Sequence, residues 1–157
     1  MSMKMKMNEK VATRSYKVAL KEATKKNPNY KKVVASLKRA LRSGDPNAAY
    51  ALATWYLNGK VFEGNIKKAI PLLSKAAKGM VPSANYDLGI AFEKGIGVRK
   101  NARRAFELYL TASLLGDEDA VFETGRCYYY GIGIRKDRRT AEVWLHRADQ
   151  LGVIRSE

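Results

Sequence analysis

One cysteine, Cys127, and one histidine, His146, are all that the 157-residue chain offers of those two residue types. A single cysteine excludes an intrachain disulfide and suits a reducing compartment. One histidine and one cysteine do not make a zinc site unless carboxylates complete it, and no such spacing is visible, so no metal or cofactor is expected. Acids are scarce as well: 15 Asp and Glu stand against 30 Lys and Arg, for a net charge of +15. That excess favours anionic partners such as nucleic acid, anionic lipid or an acidic protein surface, and says nothing about fold. Long apolar runs are missing too. No stretch approaches the ~18 residues of a membrane span. The opening MSMKMKMNEK is followed by VATRSYKVAL, which Arg14 and Lys17 interrupt. No signal peptide is therefore expected, and the cytoplasm is the default location. Ser2 excludes N-myristoylation.

What is present is enough for a globular domain: 46% of residues are hydrophobic and 29% charged. The charge is concentrated. Residues 1–45 carry a net charge of +10 and residues 46–157 carry +5. Two basic loops, GIGVRKN (95–101) and GIGIRKD (131–137), look at first like phosphate cradles. Phosphate loops follow a strand and carry a third glycine or a Gly-Lys-Ser/Thr ending, and Lys100 and Lys136 stand where that glycine would be.

The loops start 36 residues apart, and the chain repeats at that step. Ala48, Ala84 and Ala120 coincide, as do Tyr56, Phe92 and Tyr128, then Gly59, Gly95 and Gly131. Asn65, Asn101 and Asp137 follow, then Ala69, Ala105 and Ala141, then Ala76, Ala112 and Ala148. A recurring unit of this length indicates a solenoid. Each unit reads as two helices. The first has apolar or small residues at helical spacing. Asp45 and Asp117 are placed to cap it, with Pro46 at the first helical position. Gly59, Gly95 and Gly131 fall where a left-handed residue ends it. Asn65, Asn101 and Asp137 then cap the second helix. The predicted fold is an all-α, α/α solenoid of about eight helices in one continuous domain. Its parts are a basic flexible tail (1–8), a degenerate first repeat (9–44), three full repeats (45–80, 81–116 and 117–152) and a C-terminal tail (153–157).

The pattern A-x-x-x-L-G-x-x-[YF]-x-x-G-x-G-V, then a capped Ala-rich helix, resembles the Sel1-like repeat family, which is related to tetratricopeptide repeats. ANYDLGIAFEKGIGVRKNARRAFELYLTASLLG (84–116) is a close match. The fourth unit has Thr124 where Leu is usual, and the second departs at Ala53 and Val61. The resemblance implies helices lining a concave surface, and adaptor or scaffold proteins whose repeats are not catalytic. It also implies a narrower analogy, that of an immunity protein neutralising a cognate toxin.

In a solenoid, shared residues serve stacking and variable ones are free for recognition. The variable row on the first helices includes Asn58, then Asp87, Ile90 and Lys94, then Glu123, Arg126 and Tyr130. This row is the expected partner-binding face. A second candidate is a basic ridge formed by Lys67, Arg99, Arg103, Arg135 and Arg139, which the repeat would bring into line for an anion or an acidic partner. Cations near a helix start are disfavoured by ~0.3–1 kcal/mol each, a cost that an anionic partner would offset. No catalytic residue is expected. His146 aligns with Ser74 and Leu110, Cys127 reads as a packing residue, and DED (117–119) reads as acids stabilised at a helix start. The expected partner is a protein with an acidic surface. Nucleic acid or an anionic surface bound through the ridge is the alternative, and the short Lys/Met tail reads as solubilising rather than membrane-seeking.

Overall fold

A computed structural model describes residues 3–59, 61 and 63–153, with side chains from residue 11 onward. Residues 1–2 and 154–157, and with them most of the expected C-terminal tail, lie outside the described residues. Among the described residues there are eight helices and no strand. They are α1 (Met3–Ala23), α2 (Tyr30–Arg42), α3 (Pro46–Asn58), α4 (Ile66–Lys78), α5 (Pro82–Lys94), α6 (Ala102–Leu114), α7 (Glu118–Tyr130) and α8 (Arg138–Gln150). Helix α1 starts at Met3, inside the segment read as a tail; Met and Lys are straight-chain residues that lose little rotamer freedom in a helix. The chain divides into two compact units, one ending at Gly79 and one starting at Met80. Each unit is two consecutive α-hairpins, the hairpin repeat of an α/α solenoid.

The repeat sets the helix bounds through its caps. Helices α3, α5 and α7 start at Pro46, Pro82 and Glu118, and each is 13 residues long. Asp45 accepts from the amides of Asn47 and Ala48, at 2.9 and 3.3 Å. Asp117 accepts from the amide of Ala120 at 3.0 Å. The third hairpin has Val81 at this place and no side-chain cap. Gly59, Gly95 and Gly131 end these helices with φ of 66°, 76° and 76°, in the left-handed region that costs a β-carbon about 1–2 kcal/mol. Asn65, Asn101 and Asp137 then cap α4, α6 and α8, accepting from amides three residues on at 3.0, 2.9 and 3.1 Å.

The recurring alanines are the core. Ala48, Ala69 and Ala76 in the first unit are fully buried, as are Ala84, Ala105, Ala112, Ala120, Ala141 and Ala148 in the second. Alanine there lets helix axes approach closely while larger residues fill the gaps between crossings. In the first unit Ala19, Val33, Leu37, Ala40, Ala48 and Leu52 form one cluster, with Trp55 packed against it and edge-on to Tyr30 at 6.2 Å. In the second, Ala105, Phe106, Tyr109 and Cys127 form the centre, flanked by Ile90, Tyr128 and Ile134.

Glycine within a helix has a specific use at Gly89. A β-carbon there would lie 2.7 and 2.8 Å from Cε1 and Cδ1 of the Tyr109 ring. The ring is 1% exposed, so it has nowhere to go. Gly89→Ala is expected to cost about 1–3 kcal/mol, read as a lower midpoint in urea with an unchanged slope. A midpoint equal to wild type would show that the ring shifts freely.

Candidate interaction surfaces

The expected row on the first helices is occupied differently from its sequence reading. Asn58, in the first unit, and Lys94 and Tyr130, in the second, are exposed. Asp87 is half-buried, and Ile90 is half-buried against the Tyr109 cluster. Glu123 is only 8% exposed, and Arg126 is held between two carboxylates. Arg126 donates from Nη2 to Glu93 Oε1 and Oε2, at 2.8 and 2.7 Å, and from Nε to Glu123 Oε2 at 2.6 Å. The Tyr109 hydroxyl donates to Glu93 Oε2 at 2.8 Å. Helices α5, α6 and α7 are thus tied by one charged knot. Glu123 and Arg126 belong to the packing of the second unit, and a charge reversal at either perturbs the fold before it reports on a partner.

The knot sets its own protonation. Burial pushes the Glu93 carboxyl up, but the hydrogen bonds from Arg126 and Tyr109 outweigh that and hold it below its ordinary value. Burial, then the bond to Glu93, pushes the Tyr109 hydroxyl far up, and the two carboxylates keep Arg126 charged against its own desolvation. Glu93 escaped the sequence reading because its equivalents are Leu57 and Tyr129, so no repeated position marks it. Burial also pushes the neighbouring Cys127 thiol up to about 12. The thiolate is the reactive form, so a maleimide is expected to label Cys127 only after denaturation. Rapid labelling of the native protein would contradict its place in the core.

Lys67 of the first unit and Arg99, Arg103, Arg135 and Arg139 of the second, the five ridge cations, are all exposed. Within the second unit the loop after α7 settles onto the start of α6. At Gly133, φ is 71°, and a β-carbon would overlap the Ala102 carbonyl and lie 2.8 Å from the Arg103 amide. This contact puts Arg103 and Arg135 on one open cleft of about 620 Å³, which Phe106 and Ile134 also line. A second cleft of the same volume shares Ile134 and Arg135, and Arg139 lies along it. Arg99 lines neither cleft.

The first hairpin carries charge of another kind. Between Val11 and Arg42 ten Lys and Arg side chains are all exposed, and the lone acid, Glu22, is buried. Glu22 takes Lys25 at 2.8 Å, Lys32 at 3.7 Å and the Asn29 amide at 3.3 Å. Among the described residues no helix is long and apolar enough to cross a membrane.

The hairpin register and its caps coincide with a known repeat. The Sel1 repeat model matches residues 46–79, 82–117 and 118–153. The chain belongs to the Sel1 repeat family. Its Sel1 repeats are similar to those of a solved Sel1 repeat protein from Oxalobacter formigenes. That pair is 38% identical over 76% of this chain and 90% of that one, with a TM-score of 0.71. A protective antigen of uropathogenic Escherichia coli shares the fold at a TM-score of 0.82 and 21% identity, over 94% of this chain and 33% of that one. An immunity protein from Pseudomonas aeruginosa shares it at 0.61 and 24% identity, over 90% of this chain and 53% of that one. A search of curated proteins finds no match. Sel1 repeat proteins are in general non-enzymatic interaction scaffolds, and the fold is a protein-interaction module.

Proposed function

We propose that this Sel1 repeat protein is a non-enzymatic adaptor that binds one specific partner protein through an acidic surface. The observation that carries the reading is the cleft lined by both Arg103 and Arg135, cations that recur at the 36-residue step and that the seating of Gly133 on the start of α6 brings to one place. The family supports a protein partner, and the net charge of +15 supports an acidic one. The likeness to the Pseudomonas aeruginosa immunity protein supports a narrower form, in which the partner is a toxin that this chain neutralises in the cytoplasm. The buried, unpaired thiol is compatible with that reducing location. Affinity purification from nuclease-treated extract at low and moderate salt tests the reading. A discrete protein retained at both salt levels is expected. Recovery of nothing but nuclease-sensitive material would overturn it.

The first hairpin favours a second reading, binding to nucleic acid or another anionic surface. Its ten exposed cations, with no exposed acid between Val11 and Arg42, match a phosphate backbone better than a shaped protein surface. That reading requires affinity for mixed nucleic acid that falls steeply with salt. A gel shift absent even at low salt would remove it.

A further inference from the structure

We infer that the paired clefts between α6, the 131–137 loop and the start of α8 seat an extended acidic peptide segment carrying an apolar side chain. The inference rests on the protein-binding reading above and assigns it a place and a ligand chemistry. The two clefts share Ile134 and Arg135, and each is of about 620 Å³, within the size range of sites that enclose a small ligand and large enough for a few peptide residues.

The rim is cationic. Arg103 and Arg135 flank the first cleft, and Lys136, Arg138 and Arg139 line the second. The arginine guanidinium groups take carboxylates in two-pronged hydrogen bonds, and the Lys136 ammonium adds a point charge. Two acids lie among them, and both are engaged. Glu107 pairs with Arg103 at 3.5 Å and Arg104 at 3.2 Å. These are exposed pairs, which contribute little and yield readily to an incoming carboxylate. Asp137 is committed to the α8 cap, taking the Thr140 hydroxyl at 2.8 Å and its amide at 3.1 Å.

The floor decides between an acidic peptide and a nucleic acid strand. Single-stranded nucleic acid binds by stacking bases on exposed aromatic faces. Here Phe106 is 6% exposed, too deeply buried for a base to stack on it, and Tyr128 of the second cleft is half-buried and set edge-on to Phe106 at 5.2 Å, so neither ring offers an open stacking platform. What the cleft presents is Ile134 and the rim of Phe106, a seat for a branched or linear apolar side chain. An apolar seat ringed by guanidinium groups is complementary to carboxylates that alternate with an apolar residue in an extended segment.

Fluorescence anisotropy with a labelled peptide alternating Glu and Leu tests this on the full chain. Wild type is expected to bind. Arg103→Glu with Arg135→Glu should weaken binding by about tenfold or more. Lys38→Glu with Arg42→Glu makes the same charge change on the first hairpin and should weaken it far less. Replacing Leu by Gly in the peptide should also cost about tenfold, the loss of one buried aliphatic side chain. All four arginine and lysine side chains are exposed, so both variants should melt with wild type; Arg103→Gln with Arg135→Gln is the milder substitute. Equal weakening by both charge-reversed pairs would reduce the effect to net charge and overturn the site. Equal affinity for the Leu-free peptide, displacement of the peptide by a single-stranded oligonucleotide, or no binding by wild type would each overturn it as well. A partner protein captured equally by wild type and by the Arg103→Glu, Arg135→Glu variant would sink the cleft and leave protein binding standing. Capture of no protein by wild type would sink the protein-binding reading itself.

Discussion

Arg126→Ala is expected to destabilise the second unit by about 2–3 kcal/mol, lowering the thermal midpoint by roughly 5–10 °C for a chain of this size. The substitution removes three charge-assisted hydrogen bonds at once and leaves Glu93 and Glu123 facing one another with no cation between them. Loss of one partner of a fully buried pair costs about 3–5 kcal/mol. The lower figure applies because the Arg126 and Glu93 side chains keep 25% and 22% of their exposure. Acid dependence gives an independent check. The Glu93 carboxyl is held below its ordinary 4.5, so its contribution is full above that pH and is lost as the pH falls through the lower, folded-state value. The stability gap between wild type and Glu93→Gln should therefore close on acidification. An Arg126→Ala midpoint equal to wild type would show that the knot is surface decoration, and a gap that widened in acid would mean that folding raises the Glu93 pKa instead of lowering it.

Gly133→Ala is expected to cost about 3 kcal/mol or more. Two penalties combine. A φ of 71° strains any residue with a β-carbon by about 1–2 kcal/mol. The new carbon would also lie 2.5 Å from the Ala102 carbonyl carbon and 2.8 Å from the Arg103 amide, both backbone atoms that move only if the loop lifts off α6. Gly152→Ala is the control. Its φ is 73°, and nothing lies within 4 Å of the added carbon, so it should show the strain alone. Equal thermal midpoints for the two variants would mean that the loop is not seated on α6. Loss of the seat would also separate Arg103 from Arg135, so Gly133→Ala should weaken binding of the acidic peptide without touching a charge.

These residues show how far the sequence could be read. Helix bounds were legible because the caps repeat: Asp45 and Asp117, Gly59, Gly95 and Gly131, and Asn65, Asn101 and Asp137 each do one job at one register. The alanine core was legible for the same reason. The charged knot was not. A helical wheel for α7 knows only its own helix, and on it Glu123 and Arg126 look available. Their partner, Glu93, sits 33 residues before Arg126 on α5, and nothing in the 36-residue pattern marks it. The cleft lay between these cases. Arithmetic at the repeat step put Arg103 and Arg135 on a common edge. That they line one cleft together with Ile134 depends on a loop-to-helix contact at Gly133 that periodicity alone does not give.

The central claim is that repeated glycines, alanines and caps build the scaffold and that the cations recurring along its loop edge meet an acidic protein. Photo-crosslinking in cells tests it most directly, with p-benzoylphenylalanine in place of Arg135 and, as control, of Arg147, which is exposed on α8 and lines neither cleft. The account predicts a discrete protein adduct from position 135, mapped to an acidic segment of the partner, and none from position 147. Equal adducts from both positions, or adducts only to nucleic acid, would contradict it.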